Sequence, residues 1–258
     1  MMQFKKILYN FIDLVTLHRG INRRINGIPI RFPPRWSRYF EEDYEKENVL
    51  FFREHASHIR IIIDIGSHLG VMSVTMAKLA GPKSTLYCFE PTPATYRIFR
   101  EVIELNHLED RIIPFPDAVS DRPGQVEFYV TDIEGHNSNT LIKYRNGSGN
   151  ETPVTVNTIS VDEFKLHKNI SKIDFLKIDA EGAEMKVLRG ARKTFLKDRP
   201  FAILALHPIA IASAGDTLPA IWDLLTEYRY AVYLHSSLMS KDSFCHSTDL
   251  FDVHLTPL

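Results

Sequence analysis

The chain has 258 residues, of which 44% are hydrophobic and 24% charged, a composition typical of a soluble globular protein and unlike that of a disordered one. Its formal net charge is −1, so no overall positive field favours nucleic acid as a partner. Two cysteines, Cys88 and Cys245, are too few for a disulfide framework or a zinc site, which indicates a reducing compartment such as the cytoplasm.

Positive charge is concentrated at the start of the chain. Residues 1–38 carry a net charge of +7, so the remainder carries −8. Over residues 4–17 the apolar side chains recur at helical spacing, as in an amphipathic helix. Asn10 and Asp13 interrupt this apolar run, so neither a secretory signal nor a membrane span is predicted. We expect the helix to pack on the domain, and peripheral contact with an anionic membrane is the alternative.

The elements that follow alternate between strand and helix. Strands are predicted at about residues 27–32, 61–65, 85–89, 111–115, 126–130, 154–159, 175–178, 201–206, 231–234 and 251–255, and helices at about 41–52, 71–80, 94–106, 183–195 and 222–228. This order predicts an α/β fold, a doubly wound, mostly parallel sheet with helices on both faces. Residues 1–58 are predicted to form a helical and extended N-terminal extension packed on a domain of residues 59–258.

A glycine loop follows the first strand of this predicted sheet, at the edge where such sheets bind ligands. Gly66 and Gly70 suit a tight turn and a close approach of helix and ligand, so a bulky side chain there is expected to block the ligand. Glu90 lies 20 residues beyond Gly70, at the end of the next strand. An acidic residue at that position accepts hydrogen bonds from the two ribose hydroxyls of a nucleoside.

The loop is a poor match to a dinucleotide site. His68 stands at the second glycine position of the dinucleotide motif, and the third glycine is absent. Asp64 precedes the turn, where a carboxylate disfavours a diphosphate and suits the amino group and sulfonium of S-adenosylmethionine. Asp117, after the third strand, can accept from an adenine amino group or can be an ordinary surface turn residue.

Four segments together resemble the FkbM family of S-adenosylmethionine-dependent methyltransferases: residues 63–70, 89–93, 174–184 and 187–191. The resemblance implies a class I methyltransferase (Rossmann-like) fold, with a seven-stranded sheet whose last strand is antiparallel. It also implies methyl transfer to a hydroxyl of a glycan, polyketide or other small molecule. The cofactor contacts it implies are Asp64, Gly66, Ser67, His68, Gly70, Glu90, Pro91, Asp117, Ala118 and Asp179.

The chain departs from the family pattern at two places. The family usually has Ala-Asn where this chain has Ser67 and His68. It also tends to have a glutamate where this chain has Ala205, two residues before His207. The glycine scaffold is unchanged, so the departures concern the acceptor more than the cofactor.

Three strand-end residues are candidates for catalysis: Asp179, Glu181 and His207. An attacking hydroxyl must lose its proton, and we expect His207 or Asp179 to take it while Glu181 positions the acceptor. His207 can instead simply end its strand, and the three together can form a carboxylate–histidine metal site. Their spacing does not demand a metal, so none is expected. Glu184 can be only an exposed charge in the first turn of a helix.

Two further expectations concern the acceptor and the class of protein. The long polar segment 132–150 and the basic N-terminal segment are predicted to build the acceptor side. A non-catalytic binding or scaffold protein that retains the fold is the alternative to an enzyme, and a nicotinamide enzyme is disfavoured by the loop. The sequence predicts no particular acceptor and no oligomeric state.

Overall fold

The computed structural model describes Tyr9, Val15 and residues 19–131 and 151–258. The predicted amphipathic segment, residues 4–17, lies almost wholly outside the described residues, and so does the polar segment 132–150. Within the described residues, every helix is too short or too polar to cross a membrane.

The described strands and helices follow in chain order. The strands are β1 (Ile21–Ile25), β2 (Ile28–Phe32), β3 (Ile61–Ile65), β4 (Thr85–Phe89), β5 (Ile112–Phe115), β6 (Ala118–Val119), β7 (Gly124–Thr131), β8 (Glu151–Ile159), β9 (Phe175–Ile178), β10 (Phe201–Leu206), β11 (Tyr230–Leu234), β12 (Ser237–Leu238) and β13 (Phe251–Pro257). The α-helices in residues 19–131 and 151–258 are α1 (Lys46–His55), α2 (Val71–Ala80), α3 (Pro93–Leu105), α4 (Val161–His167), α5 (Glu184–Gly190), α6 (Arg192–Lys197), α7 (Pro208–Ser213), α8 (Leu218–Glu227) and α9 (Lys241–Cys245).

One large sheet organises the molecule, with the strand order β12-β11-β13-β10-β9-β3-β4-β5. Its five strands β10, β9, β3, β4 and β5 pair in parallel, and β13 is antiparallel to both β10 and β11. The α/β prediction and the antiparallel last strand are confirmed. The predicted number of seven strands is wrong, because the described sheet has eight. The additional strand is β12, two residues that pair back onto β11 after a turn at His235.

The central strands consist largely of apolar residues, which favour strands that are buried on both faces. All four residues of β9 are buried, as are the last four of β3, which is the pattern of strands covered on both faces. Alternate residues of β3 belong to different apolar clusters: Ile62 packs with α2 and α3, and Ile63 packs with α5 and α8. The core therefore consists of two apolar layers, one on each face of the sheet.

The first layer includes the part of the N-terminal extension that the structure describes. Ile25 and Phe32, from a hairpin of β1 and β2, are buried in the same cluster as Ile62. The strand β1 was not predicted, although Asn26 and Gly27 between the two strands are the typical residues of a two-residue hairpin turn. Both adopt positive φ, of 49° and 79°.

Two helices differ from their predicted bounds. The helix predicted from residue 41 begins at Lys46, because Glu45 adopts a left-handed conformation with φ 47° and residues 41–45 form turns. The helix predicted over 183–195 is divided into α5 and α6 at Ala191. The first of these differences places Glu45 beside the site described next.

Candidate active site

A cavity of about 280 Å³ opens at the carboxyl ends of the parallel strands, near the lower end of the size range of small-molecule sites. Its lining includes nine of the residues predicted for the site: Gly66, His68, Glu90, Pro91, Asp117, Ala118, Asp179, Glu181 and His207. Among the described residues that line the cavity, there is no lysine or arginine. The wall therefore offers a diphosphate no guanidinium or ammonium partner.

The glycine loop is shaped by contacts within the protein. Gly66 and Gly70 have φ of 75° and 84°, which favours glycine. A Cβ on Gly66 would overlap the backbone oxygen of Asp179, and a Cβ on Gly70 would overlap the ring of Phe99. The expectation that a larger side chain at Gly70 would block a ligand without affecting the fold is therefore wrong, since this glycine packs against α3 and does not line the cavity.

Glu90 is held in place at the end of β4, with only 6% of its surface exposed. One carboxylate oxygen accepts from the backbone N–H of His68 at 2.9 Å, and the other accepts from the N–H of Thr92 at 2.8 Å. Burial raises the pKa of this carboxyl, while the hydrogen bonds from Thr92 and His68 oppose the shift. The side chain of Thr92 donates to this carboxylate as well, so three of its roughly four acceptor positions are used within the protein and one is left for a ligand hydroxyl.

Asp64 and Ser67 do not line the cavity, contrary to the role expected of them. The Asp64 carboxylate is fully buried and accepts from the Ser73 hydroxyl at 2.5 Å. It lies 4.0 Å from the buried ammonium of Lys177. The Ser67 hydroxyl donates to the backbone oxygen of Asp64 at 3.1 Å. These groups hold the loop and the sheet together beneath the site.

Lys177 connects this buried pair to the cavity. Its ammonium lies 3.1 Å from Asp179 Oδ2 and is only 4% exposed. Burial alone would lower the pKa of Lys177, but the carboxylates of Asp179, Glu45 and Asp64 raise it well above its ordinary value. A permanent positive charge therefore lies directly under the site.

Asp117 and Ala118 follow β5 at the other end of the row of strand ends. Burial raises the pKa of Asp117, and a hydrogen bond from Asn157 opposes the shift. The carboxylate is partly exposed and lines the cavity, so it can accept from a ligand amino group.

The three predicted catalytic residues lie together. His207 Nε2 is 3.5 Å from Glu181 Oε2 and 3.7 Å from Asp179 Oδ1. Asp179 and Glu181 follow β9 directly, and His207 follows β10, its parallel neighbour. Glu181 has φ of 47°, and Gly182 after it has φ of 102°, so the chain turns sharply between Asp179 and α5. One ligand atom from each of the three residues can be chosen so that all lie within 4.8 Å of one another.

Glu184 is not an exposed charge in the first turn of a helix, which is the role that its place in the sequence allows. Its side chain is fully buried, and one oxygen, Oε1, lies 2.7 Å from His207 Nδ1. The same oxygen accepts from the backbone N–H of Gly182 at 3.0 Å. Glu184 therefore fixes the imidazole ring, with Nδ1 turned to the protein interior and Nε2 turned to the cavity.

The pKa values of Asp179, Glu181 and His207 all differ from the ordinary values of these side chains. Burial raises the pKa of Glu181 to about 7, with a further contribution from Asp179 and an opposing one from His207. Burial alone would lower the pKa of His207, but the hydrogen bond to Glu184 and the charge of Glu181 raise it to about 9. Burial favours a higher pKa for Asp179 as well, but Lys177 and His207 hold it below its ordinary value.

The cavity residues that the sequence did not predict include Tyr44, Glu45, Leu250 and Asp252. Asp252 was missed because only strand ends were considered, whereas it lies near the start of β13. An antiparallel strand begins at the edge where its parallel neighbours end, and Asp252 pairs with Ala205 of β10. The position of β13 in the sheet would have predicted it.

The comparisons with known proteins agree with this geometry. Residues 64–232 match the family model of the methyltransferase FkbM domain. The 2-O-methyltransferase NoeI of Sinorhizobium fredii is 29% identical over 179 residues, which is 65% of this chain and 72% of NoeI. The hexuronic acid methyltransferase AglP of Haloferax volcanii is 26% identical over 163 residues, 63% of this chain and 62% of AglP.

A solved structure shares the fold. The crystal structure of an FkbM methyltransferase from Methylobacillus flagellatus superimposes with a TM-score of 0.50 at 13% sequence identity, covering 76% of this chain and 43% of that one. The match thus spans less than two thirds of AglP and less than half of the crystallised chain.

Proposed function

Because the chain belongs to the FkbM methyltransferase family, we propose that it uses S-adenosylmethionine to methylate a hydroxyl oxygen of a sugar or other small molecule. The observation that carries the cofactor assignment is the cavity lining: Glu90 and Asp117 lie in one cavity in which no described residue is a lysine or arginine. A wall with these carboxylates and without lysine or arginine suits a positively charged nucleoside and disfavours a dinucleotide diphosphate. The names of NoeI and AglP support an oxygen acceptor and, for AglP, a sugar acid.

The residues fit the cofactor in a specific way. Glu90 would accept from a ribose hydroxyl at the acceptor position that His68 and Thr92 leave open. Asp117 would accept from the adenine amino group, and Asp179 is the carboxylate available to the amino group or the acceptor. When bound, S-adenosylmethionine supplies a methyl group on a sulfonium, which is already strongly electrophilic.

The chain's own contribution to the reaction is to align the acceptor and to remove its proton. The acceptor oxygen forms a bond to the methyl carbon as the carbon–sulfur bond breaks, and the hydroxyl proton must leave. Asp179, Glu181 and His207 are the titratable groups gathered at this end of the cavity. We assign proton removal to Asp179 or to His207, which can take the proton only when the pH exceeds its pKa of about 9, and acceptor positioning to Glu181.

Isothermal titration calorimetry with S-adenosylmethionine and with NAD tests the cofactor assignment. We expect saturable binding of the first and none of the second. An acceptor screen with methyl-labelled cofactor then tests the reaction, using sugars with free hydroxyls. We expect His207→Ala and Asp179→Asn to lower turnover at least 100-fold, the lower end of general-base contributions, and to lower cofactor affinity far less. Near-normal turnover in both variants would refute the assignment of the base.

A further inference from the structure

The orientation of His207 is the first sign that this cluster binds more than an acceptor. Nδ1 is committed to the fully buried carboxylate of Glu184, at 2.7 Å. Histidines that bind metal ions usually donate their second ring nitrogen to a carboxylate in this way, which fixes the tautomer and the ring. The side chain is 9% exposed, and its other nitrogen points into the cavity towards two carboxylates.

The spacing of the three groups is the second sign. Nε2 lies 3.5 Å and 3.7 Å from the carboxylate oxygens of Glu181 and Asp179, beyond the usual hydrogen-bond range of about 2.7–3.2 Å. Ligand atoms about 2.1 Å from one cation lie roughly 3.0–4.2 Å apart, depending on the angle between them. The two separations fall within this range, and ligand atoms of all three residues lie within 4.8 Å of one another, so the arrangement is compatible with a shared ion.

The charge balance points the same way. Asp179 binds Lys177 with Oδ2 and turns Oδ1 to His207. Because Lys177 also lies near the buried Asp64, these two carboxylates share one lysine. Glu181 and Glu184 add two further carboxylates. The described groups of the cluster thus carry more negative than positive charge, and a divalent cation offsets the difference.

We propose that Asp179, Glu181 and His207 bind a divalent cation of the Mn²⁺ class, with Glu184 as the positioning residue behind the histidine. Two carboxylate oxygens and one imidazole nitrogen suit Mn²⁺ and similar ions of mixed oxygen and nitrogen preference. The inference rests on the proposed function for its purpose: an acceptor hydroxyl that occupied an open coordination position would be oriented and would lose its proton to solvent more readily. With the ion bound, the ligand atoms of His207 and Asp179 would hold the ion and would no longer take that proton. It departs from the expectation, drawn from the sequence, of a site without metal.

Electron paramagnetic resonance of Mn²⁺ bound to the full chain is the direct test. After treatment with a chelator and dialysis, the protein is titrated with Mn²⁺ alone, and free Mn²⁺ is counted from its spectrum. We expect one saturable site per chain, and spin-echo modulation from a directly bound ¹⁴N nucleus of histidine. Wild-type protein without a saturable site, or with a site that lacks ¹⁴N coupling, overturns the proposal without reference to any variant.

The variants locate the site. Asp179→Asn and Glu181→Gln are expected to weaken Mn²⁺ at least tenfold, and His207→Ala to abolish the ¹⁴N coupling. Asp252→Asn is the matched control, since it removes a carboxylate from the same cavity that is not among the three ligands. We expect it to keep Mn²⁺ affinity within about threefold. An equal loss in Asp252→Asn and Asp179→Asn would show a general electrostatic effect and overturn the assignment.

Calorimetry on the same chelated sample separates this proposal from the proposed function. Binding of S-adenosylmethionine by protein that binds no Mn²⁺ overturns the metal site and leaves the methyltransferase proposal standing. Binding of Mn²⁺ at a histidine site by protein that does not bind the cofactor supports the metal site and refutes the cofactor assignment.

Discussion

At the scale of single residues, two carboxylates beside the glycine loop have opposite tasks. Asp64, within β3, is expected from the sequence to contact the cofactor, yet its side chain is fully buried and shares Lys177 with Asp179. Glu90, directly after β4, lines the cavity and keeps an acceptor position for a ligand. The sequence shows both as acids near the glycine loop. It does not show which of the two side chains is buried in the interior and which one faces the cavity.

The buried pair should be measurable as stability. Lys177→Met leaves Asp64 in the interior without its cation, so we expect the free energy of unfolding in urea to fall by about 3–5 kcal/mol. The double variant Asp64→Asn with Lys177→Met removes both charges and should regain a large part of that loss. A double variant that is as unstable as the sum of the two single variants would contradict the pairing.

Glu90 should be measurable as cofactor affinity. Glu90→Gln keeps the size of the side chain but removes the charge that accepts from ligand hydroxyls. We expect 10- to 100-fold weaker binding of S-adenosylmethionine in calorimetry, corresponding to about 1.5–3 kcal/mol. Glu109→Gln, which changes an exposed carboxylate that does not line the cavity, is the control and should bind normally. Normal binding by a folded Glu90→Gln protein would place the cofactor elsewhere.

At the scale of elements, the turn from β3 into α2 depends on packing against α3. Gly70 has φ of 84°, and a Cβ there would overlap the Phe99 ring. Gly215, after α7, has the same φ of 84° but open space around the added atom. The two glycines therefore have the same left-handed backbone conformation and differ in the space that is available for a Cβ atom.

Alanine at these two positions separates the two effects. Gly215→Ala should cost about 1–2 kcal/mol of unfolding free energy from the left-handed backbone alone. Gly70→Ala should cost about 1–3 kcal/mol more, because the ring of Phe99 must move. Urea denaturation measures both. Equal losses in the two variants would show that contact with Phe99 is unimportant.

The elements also show what sequence patterns capture. The β3, β4 and β10 strands were predicted with the bounds that the structure has, because each is a short apolar run ended by a polar residue or glycine. The Asn-Gly turn after β1 is a local signal for the hairpin, whereas the left-handed conformation of Glu45 has no local signal. The cavity wall at Asp252 depends on pairing with Ala205, 47 positions earlier, which no local pattern encodes.

At the scale of the whole molecule, the described part of the N-terminal extension belongs to the same core as the sheet. Phe32 and Trp36 are buried in one cluster with Ile62 and Phe99. Tyr44 and Glu45 also reach the cavity. We therefore propose that residues 19–58 and the domain unfold as one cooperative unit.

The two tryptophans of the chain allow a direct test, since Trp36 lies in the extension and Trp222 lies on α8. The variants Trp36→Phe and Trp222→Phe each leave a single tryptophan. Circular dichroism gives a second signal for each variant. We expect the fluorescence of either tryptophan to change together with the dichroism of the same variant in urea. An earlier transition seen only by Trp36 would show that the extension unfolds separately.

The place of β13 in the sheet has a consequence for biosynthesis. It lies between β10 and β11 although it follows both in the chain, and Leu255 pairs with Ala202 on one side and Val232 on the other. A nascent chain that has emerged through β11 therefore holds two unpaired strand edges, which invite association with other chains. Insertion of β13 removes both edges and brings Asp252 to the cavity in one late step, so the binding site matures only when translation has passed the end of this strand.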